Sequence, residues 1–501
     1  MRVRERAVTV ALAMTLLATA CSDDDDSDGN RAAPTTAAAN ATTSTAVARP
    51  DGPVADVSEA ITGENPPFIG AATEANLPEH YVEEEYVASG TASSYAAVGE
   101  LTSDGVWTLE PGDTAAYRTR VLVRRPATVA DFSGTVLVEW LNVSGGVDAN
   151  PDYVTLEEEI LRRGHVWVGV SAQLIGIEGG PVLVTAPGGE GIAGEGLKSL
   201  DAERYGSLEH PGDGFSYDIY TQVARALRAG EPLGGFRPEV VIAVGESQSA
   251  IALTTYYNGV QPLTEAFDAF FVHSRGASGL PLVGRGEYAD LAGSIGAAQT
   301  TLRGDLDAPV MMLQSEGDIP GPLNSLAARQ PDSDTYRLWE VAGTAHADAR
   351  LVGESAALIE CGVEINDAPF HVVAKAALRA LDGWARTGEA PPEAPRVETS
   401  SDGSIVRDAD GIAQGGIRTP PVDVPVDVLS GAPGPSGGVI CLLLGSTIPL
   451  PDARLAELYE SRTDYERQYE AAVDDVIAAG FALEEDREAL MAYADPSRLP
   501  G

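Results

Sequence analysis

Seven short apolar runs, separated by helix-patterned stretches, occupy residues 115 to 385 of this 501-residue chain and leave it few ways to fold. The runs are AAYRTRVLVRR (115–125), GTVLVEWLN (134–142), HVWVGVSAQ (165–173), EVVIAVGE (239–246), FDAFFVHS (267–274), APVMMLQSE (308–316) and YRLWEVAG (336–343). Successive side chains of a strand point to opposite faces, so a run that is apolar throughout needs cover on both. Helical stretches supply it, such as YDIYTQVARALRA (217–229), which stops at Gly230. Strand, helix and strand in series predict an α/β chain with a mostly parallel sheet and helices on both faces. Residues 55–110 read as loops and short strands, an antiparallel start to that sheet.

The flanks read differently. Arg2, Arg4 and Arg6 precede the run AVTVALAMTLLATA (7–20), which ends at Cys21. Fourteen residues are too few to span a bilayer, which takes about 20. The arrangement resembles a bacterial lipoprotein signal with the box Ala18-Thr19-Ala20-Cys21, although Ala18 stands where Leu is usual. Residues 1–20 are therefore expected to be a signal peptide and Cys21 a lipidated residue, with the lipid as the only membrane contact. An ordinary secretory signal that leaves Cys21 free is the alternative; either exports the protein to the cell surface or periplasm. Residues 21–54, rich in Asp, Ala, Thr and Ser, cannot bury enough surface to fold and read as a tether. Its Asp23–Asp26 run lacks the glycine-centred loop of a calcium site and reads as solvated charge, so no metal is expected. In an oxidising compartment the two other cysteines, Cys361 and Cys441, are expected to pair. Residues 396–501 form an extension packed on the core of 55–395, Pro- and Gly-rich at first and helical from 452. Thr463 and Glu466 suit a capping box, and Tyr465, Tyr469, Val473, Val476 and Ile477 form a stripe that ends at Gly480. The stripe reads either as a lid or as a helix packed permanently on the core.

With 75 acidic and 33 basic residues the formal charge is −42. That excess excludes nucleic-acid binding through neutralised phosphates and an electrostatic grip on anionic lipid. It also disfavours acidic substrates. A dinucleotide fold is disfavoured as well, because the glycines at 188–196 lack the G-x-G-x-x-G order after a strand.

One apolar run carries chemistry. Val240 to Val244 lead into Gly245-Glu246-Ser247-Gln248-Ser249 and then a small-residue helix, the context a nucleophile elbow demands. Ser249 replaces the usual second glycine but is still small. A serine nucleophile needs a base, and in an elbow-type hydrolase the order is Ser, acid, His. Of the six histidines only His346 and His371 follow an acid in that order. His346, on a small-residue loop just past a strand, is the expected base; His371 lies at a helix start and reads as structural. The acid belongs after the preceding strand, where Asp318 is favoured and Glu316 is the alternative. Oxyanion donors are expected from the backbone of Gln248 and from the loop of Asn142 and Val143. His273 and Arg275 end another strand and are candidate pocket residues.

These residues resemble the α/β-hydrolase superfamily. WEVAGTAHAD, QSEGD and GGIRTP (415–420) make residues 55–501 similar to secreted bacterial proteins identified only as alpha/beta hydrolase domain proteins. The resemblance implies an α/β-hydrolase fold of about eight strands and a Ser-acid-His triad, but no particular substrate. The expected function is an exported serine hydrolase that cleaves a small-molecule carboxylic ester without metal or organic cofactor. Acyl transfer or amide cleavage would use the same residues, and a binding lipoprotein on an inactive hydrolase scaffold is the rival from another class. A penicillin-binding enzyme would need Lys where Ala250 stands. Arg418 of GGIRTP reads as a substrate contact or a brace, and the oligomeric state is not legible.

Overall fold

All seven runs form strands of one sheet in the computed structural model, which describes residues 49–70, 77–185, 189–435 and 438–499. The expected signal, Cys21 and the tether as far as residue 48 lie outside the described residues. The strands are β1 (Asp56–Ala60), β2 (Tyr81–Ala97), β3 (Leu109–Pro126), β4 (Thr135–Trp140), β5 (Val166–Val170), β6 (Val240–Glu246), β7 (Ala269–His273), β8 (Val310–Ser315) and β9 (Tyr336–Val341). Their spatial order is β1-β2-β3-β5-β4-β6-β7-β8-β9. Pairs from β5 to β9 are parallel, and those among β1, β2, β3 and β5 are antiparallel.

Strands β4 to β8 are buried at every position, as their unbroken apolar runs require. Val136, Val138, Val241 and Ala243 pack on the side of the helices Ser216–Ala229 and Gln248–Thr255. Leu137, Ile242 and Val244 pack on the other side, against Pro151–Arg163 and Phe370–Thr387. The chain order reverses around β4, with β5 on one side and β6 on the other. In such sheets the crevice at the carboxyl ends of the strands receives ligands.

The N-terminal part of the sheet is larger than the sequence reading allows. β2 and β3 are 17 and 18 residues long and pair almost throughout. YVEEEYVASGTASSYAA hides its strand because acidic and small residues interrupt the alternation. Pairing with β3 holds it, aided by Glu83 opposite Arg124, whose charged groups lie 2.8 Å apart. The edge strand β1 brings the count to nine.

The C-terminal part contains an antiparallel pair, β10 (Asp427–Ser430) and β11 (Ser446–Pro449), and the helix Arg462–Ala478. That helix is capped by Ser461, two residues before the expected Thr463; its hydroxyl accepts the Asp464 N–H at 3.1 Å. Tyr465, Tyr469, Val473 and Val476 are buried in one cluster with Val372, Val424, Leu455 and Leu490, which makes the stripe a packing face. Cys361 and Cys441 are bonded, with Cα atoms 5.6 Å apart across a sequence separation of 80. Among the described residues no helix is long and apolar enough to cross a membrane.

Candidate active site

Ser247 stands between β6 and the helix Gln248–Thr255 with φ at 56°, a left-handed conformation that a non-glycine residue keeps only when its surroundings hold it. Its N–H donates to His273 O at 2.9 Å, and its carbonyl accepts the Ile251 N–H at 3.1 Å. The tight approach falls on Gly245, where a Cβ would meet the Ser249 backbone and Leu253 at 3.0 Å. Ser249 can therefore keep a side chain.

His346 lies on the loop after β9, with Nε2 2.9 Å from Ser247 Oγ and Nδ1 2.7 Å from Asp318 Oδ1. A carboxylate only accepts, so Nδ1 carries a proton, and in the neutral imidazole Nε2 is left as the acceptor for the serine hydroxyl. Asp318 follows β8, and its Oδ2 accepts the Ser315 N–H at 2.6 Å. Burial would raise its pKa, but the charge and hydrogen bond of His346 hold it below the usual carboxylate range. Burial likewise opposes the His346 cation, yet Asp318 and then Glu246 outweigh it and raise the imidazole to about 9. Glu316 points elsewhere. It accepts the Gly343 N–H at 2.7 Å, Gly431 N–H at 3.0 Å, Ser430 hydroxyl at 3.1 Å and Arg407 at 2.5 Å, and so ties the β8 turn to the C-terminal segment.

Glu246, which the sequence reading passed over, is the second carboxylate at the imidazole. Its Oε1 is 3.3 Å from His346 Nε2, and its Oε2 accepts Asn142 Nδ2 at 3.3 Å. Burial pushes it up to about 7 against the pull of His346 and His273. An acid closing the fully apolar run Val240–Val244 was the available signal, since a buried carboxylate needs a partner.

The expected oxyanion donors are not equivalent. Gln248 N–H opens its helix, where no helical carbonyl reaches it. Val143 N–H is directed at Gln248 Oε1, 3.2 Å away. Asn142 N–H is committed to Ala149 O at 2.9 Å, and its side-chain amide reaches Glu246. Asn142 thus shapes the loop rather than offering a backbone donor.

A pocket of about 320 Å³ opens at Ser247, His346 and Glu246. Arg275 and His273 do not line it, contrary to expectation. A buried guanidinium needs acceptors, and Arg275 finds them in Gly276 O, Ala277 O, Thr300 O and Thr254 Oγ1 at 2.5 to 3.2 Å, bracing the loop after β7. His273 bonds Asp152 through Nδ1 at 2.9 Å and lines a separate small cavity with His346, Asp348 and His371. His371 is buried in its helix and pushed down to about 3 by that burial. Arg418 braces its own segment through Asp423, Ala413 O and Val422 O, while Ile417 beside it bridges to Val341 of β9. The sequence reading also missed Val439, Ile440, Leu442 and Leu443, which line the pocket from the C-terminal segment.

Similarity to solved structures is distant. An α/β serine hydrolase without lid from Xanthomonas campestris is 13% identical with a TM-score of 0.28, over 57% of this chain and 94% of its own. Carboxyl esterase 2 from Tuber melanosporum is 9% identical with a TM-score of 0.28, over 63% and 92%. A glucuronoyl esterase from Solibacter usitatus is 12% identical with a TM-score of 0.22, over 47% and 55%. No curated protein matches the sequence. A family model described as alpha/beta hydrolase domain matches residues 25–492, nearly the whole chain, and the chain belongs to that family.

Proposed function

We propose that the protein is an exported, lipid-anchored serine hydrolase that cleaves an uncharged carboxylic ester through Ser247, His346 and Asp318. The observation that carries this reading is the unbroken series of hydrogen bonds from Ser247 Oγ through His346 to Asp318 at the mouth of a pocket. In the reaction Ser247 Oγ attacks the carbonyl carbon and passes its proton to His346 Nε2. Gln248 N–H meets the developing oxyanion, and Val143 N–H joins it once released from Gln248 Oε1. Collapse breaks the ester C–O bond, and His346 gives its proton to the departing alkoxide. Water, deprotonated by the same imidazole, then hydrolyses the acyl-enzyme and restores Ser247. Among the described residues no Lys or Arg lines the pocket, which favours a neutral substrate. The Cys361–Cys441 bond supports export to an oxidising compartment, and the box ending at Cys21 supports the lipid anchor.

A fluorophosphonate tests the reading directly. The folded protein is expected to take up one equivalent on the peptide that contains Ser247. A folded protein that stays unlabelled overturns the assignment.

Glu246 makes the pH profile diagnostic. Neutral imidazole is the active base, so kcat/KM is expected to climb with pH through a midpoint near 9, where His346 loses its proton, and to level off above it. Asp318, Glu246, Asp152 and His273 are titratable groups around that site, and Asp348, Arg350 and His371 share the small cavity beside it. Glu246→Gln keeps an acceptor for Asn142 but removes a charge that stabilises imidazolium. The acid limb is expected to move to lower pH, by about one unit. A limb that stays in place would show that Glu246 has no electrostatic hold on the base.

A further inference from the structure

The disulfide and the apolar part of the pocket belong to the same stretch of chain. Val439–Leu442 is a single 3-10 turn, in which side chains three apart eclipse one another. Val439 and Leu442 accordingly share a side, line the pocket and are 64% and 47% exposed. Cys441 faces the other way, buried with Leu444 and bonded to Cys361. The turn is also tied to the base loop: Ala347 N–H, next to His346, donates to Leu443 O at 3.0 Å, and Asn366 N–H donates to Leu444 O at 3.0 Å. Across the pocket Leu183 and Val184 add hydrocarbon, held by Ser144 O, which accepts their N–H groups at 2.9 and 3.0 Å. Of the pocket's polar side chains, Asn142, Glu246, Ser247 and His346 are bonded to one another and surround the reacting ester, while Ser144 and Asn150 also line the pocket. The other large side chains that the rest of the ester meets are apolar.

From this we infer that the turn Val439–Leu442, clamped by Cys361–Cys441, is the specificity wall of an apolar subsite that takes the hydrocarbon chain of an uncharged ester. The inference rests on the Ser247 reading and adds its substrate class. Two large apolar side chains left in water on a covalently fixed turn gain burial when a hydrocarbon lies against them. A buried methylene is worth about 0.8 kcal/mol, or roughly a fourfold gain in kcat/KM. The chain can belong to the acyl or the alcohol side, and both meet the same wall.

Two ester series separate these sources: p-nitrophenyl esters of acetate to decanoate, and alkyl acetates from methyl to octyl. One series is expected to rise about fourfold per methylene over its first members. p-Nitrophenyl succinate, with its charge, is expected to fall below the neutral ester of equal length. Val439→Asp and Leu442→Asp change exposed side chains and are expected to flatten the rise to near zero. So is the Cys361→Ser/Cys441→Ser double variant, or the folded wild type with both thiols freed by a reductant. A wild type that is labelled at Ser247 but flat in both series overturns the subsite and leaves the serine assignment standing. A rise that both Asp variants retain overturns the wall, and one that survives loss of the disulfide overturns the clamp. A wild type that takes no label at Ser247 fails the serine assignment instead.

Discussion

Ser247→Ala is expected to lower kcat for ester hydrolysis by about 10⁴- to 10⁶-fold while leaving the fold intact. Among the described residues that line the pocket, the hydroxyl is the only group placed to attack a carbonyl with a base at 2.9 Å. Alanine removes it without other change, since the backbone at 247 is held by His273 O and Ile251 N–H, neither of which involves the side chain. The left-handed φ of 56° suits alanine no worse than serine, so thermal unfolding should move little. Activity that remains should come from oriented water and the oxyanion donors alone. Measuring kcat with a p-nitrophenyl ester, together with the unfolding midpoint, checks both halves. Near-normal turnover in the folded variant would remove Ser247 from the chemistry and leave the family scaffold with another role.

The contrast between Ser247 and its surroundings shows where sequence is informative. A strand apolar at every position, a tight turn and a small-residue helix are local features, and β4 to β9 and the elbow follow from them. Chain order then left His346 and His371, the small-residue loop past a strand favoured His346, and the loop after β8 narrowed the acid to two carboxylates. Choosing between Asp318 and Glu316 needed three dimensions, because they are two residues apart and their directions depend on which partners the C-terminal segment supplies. Arg275 was misread for a related reason. A strand-end arginine looks available until the carbonyls of the following loop are seen to claim it. β2 was obscured because its acidic side chains are paid for by β3 arginines rather than by alternation. The wall at Val439–Leu442 lay in a stretch whose glycines and prolines marked it as mere loop; its place at the pocket comes from Cys361 and the His346 loop. Local pattern thus located the atoms proposed to react, while the residues that surround them are brought in by contacts more than 80 residues away in sequence, as for Glu246 with Asn142 and with His346.

Asp318→Asn should cost about 10⁴-fold in kcat, by a route the geometry makes specific. Two donors converge on the carboxylate: His346 Nδ1–H at 2.7 Å and Ser315 N–H at 2.6 Å. A carboxylate accepts both, whereas an amide has one oxygen and one NH₂. The Ser315 N–H is fixed in the backbone and has no second tautomer, so the amide oxygen should turn to it and the NH₂ to the imidazole. Nδ1 must then accept, which moves the ring proton to Nε2. An Nε2–H cannot take the Ser247 proton, and the base is lost with every atom still in place. Nuclear magnetic resonance of the ring nitrogens should report the tautomer change directly. Glu316→Gln is the control for removing a buried carboxylate of the same turn. It weakens the bonds to Gly343, Gly431, Ser430 and Arg407, and should cost about 1–3 kcal/mol of stability. Well below its unfolding midpoint its kcat should stay within about tenfold of wild type, because no atom of Glu316 bonds His346. If the two variants lose kcat equally, tautomer control by Asp318 fails, and the loss belongs to the shared turn after β8.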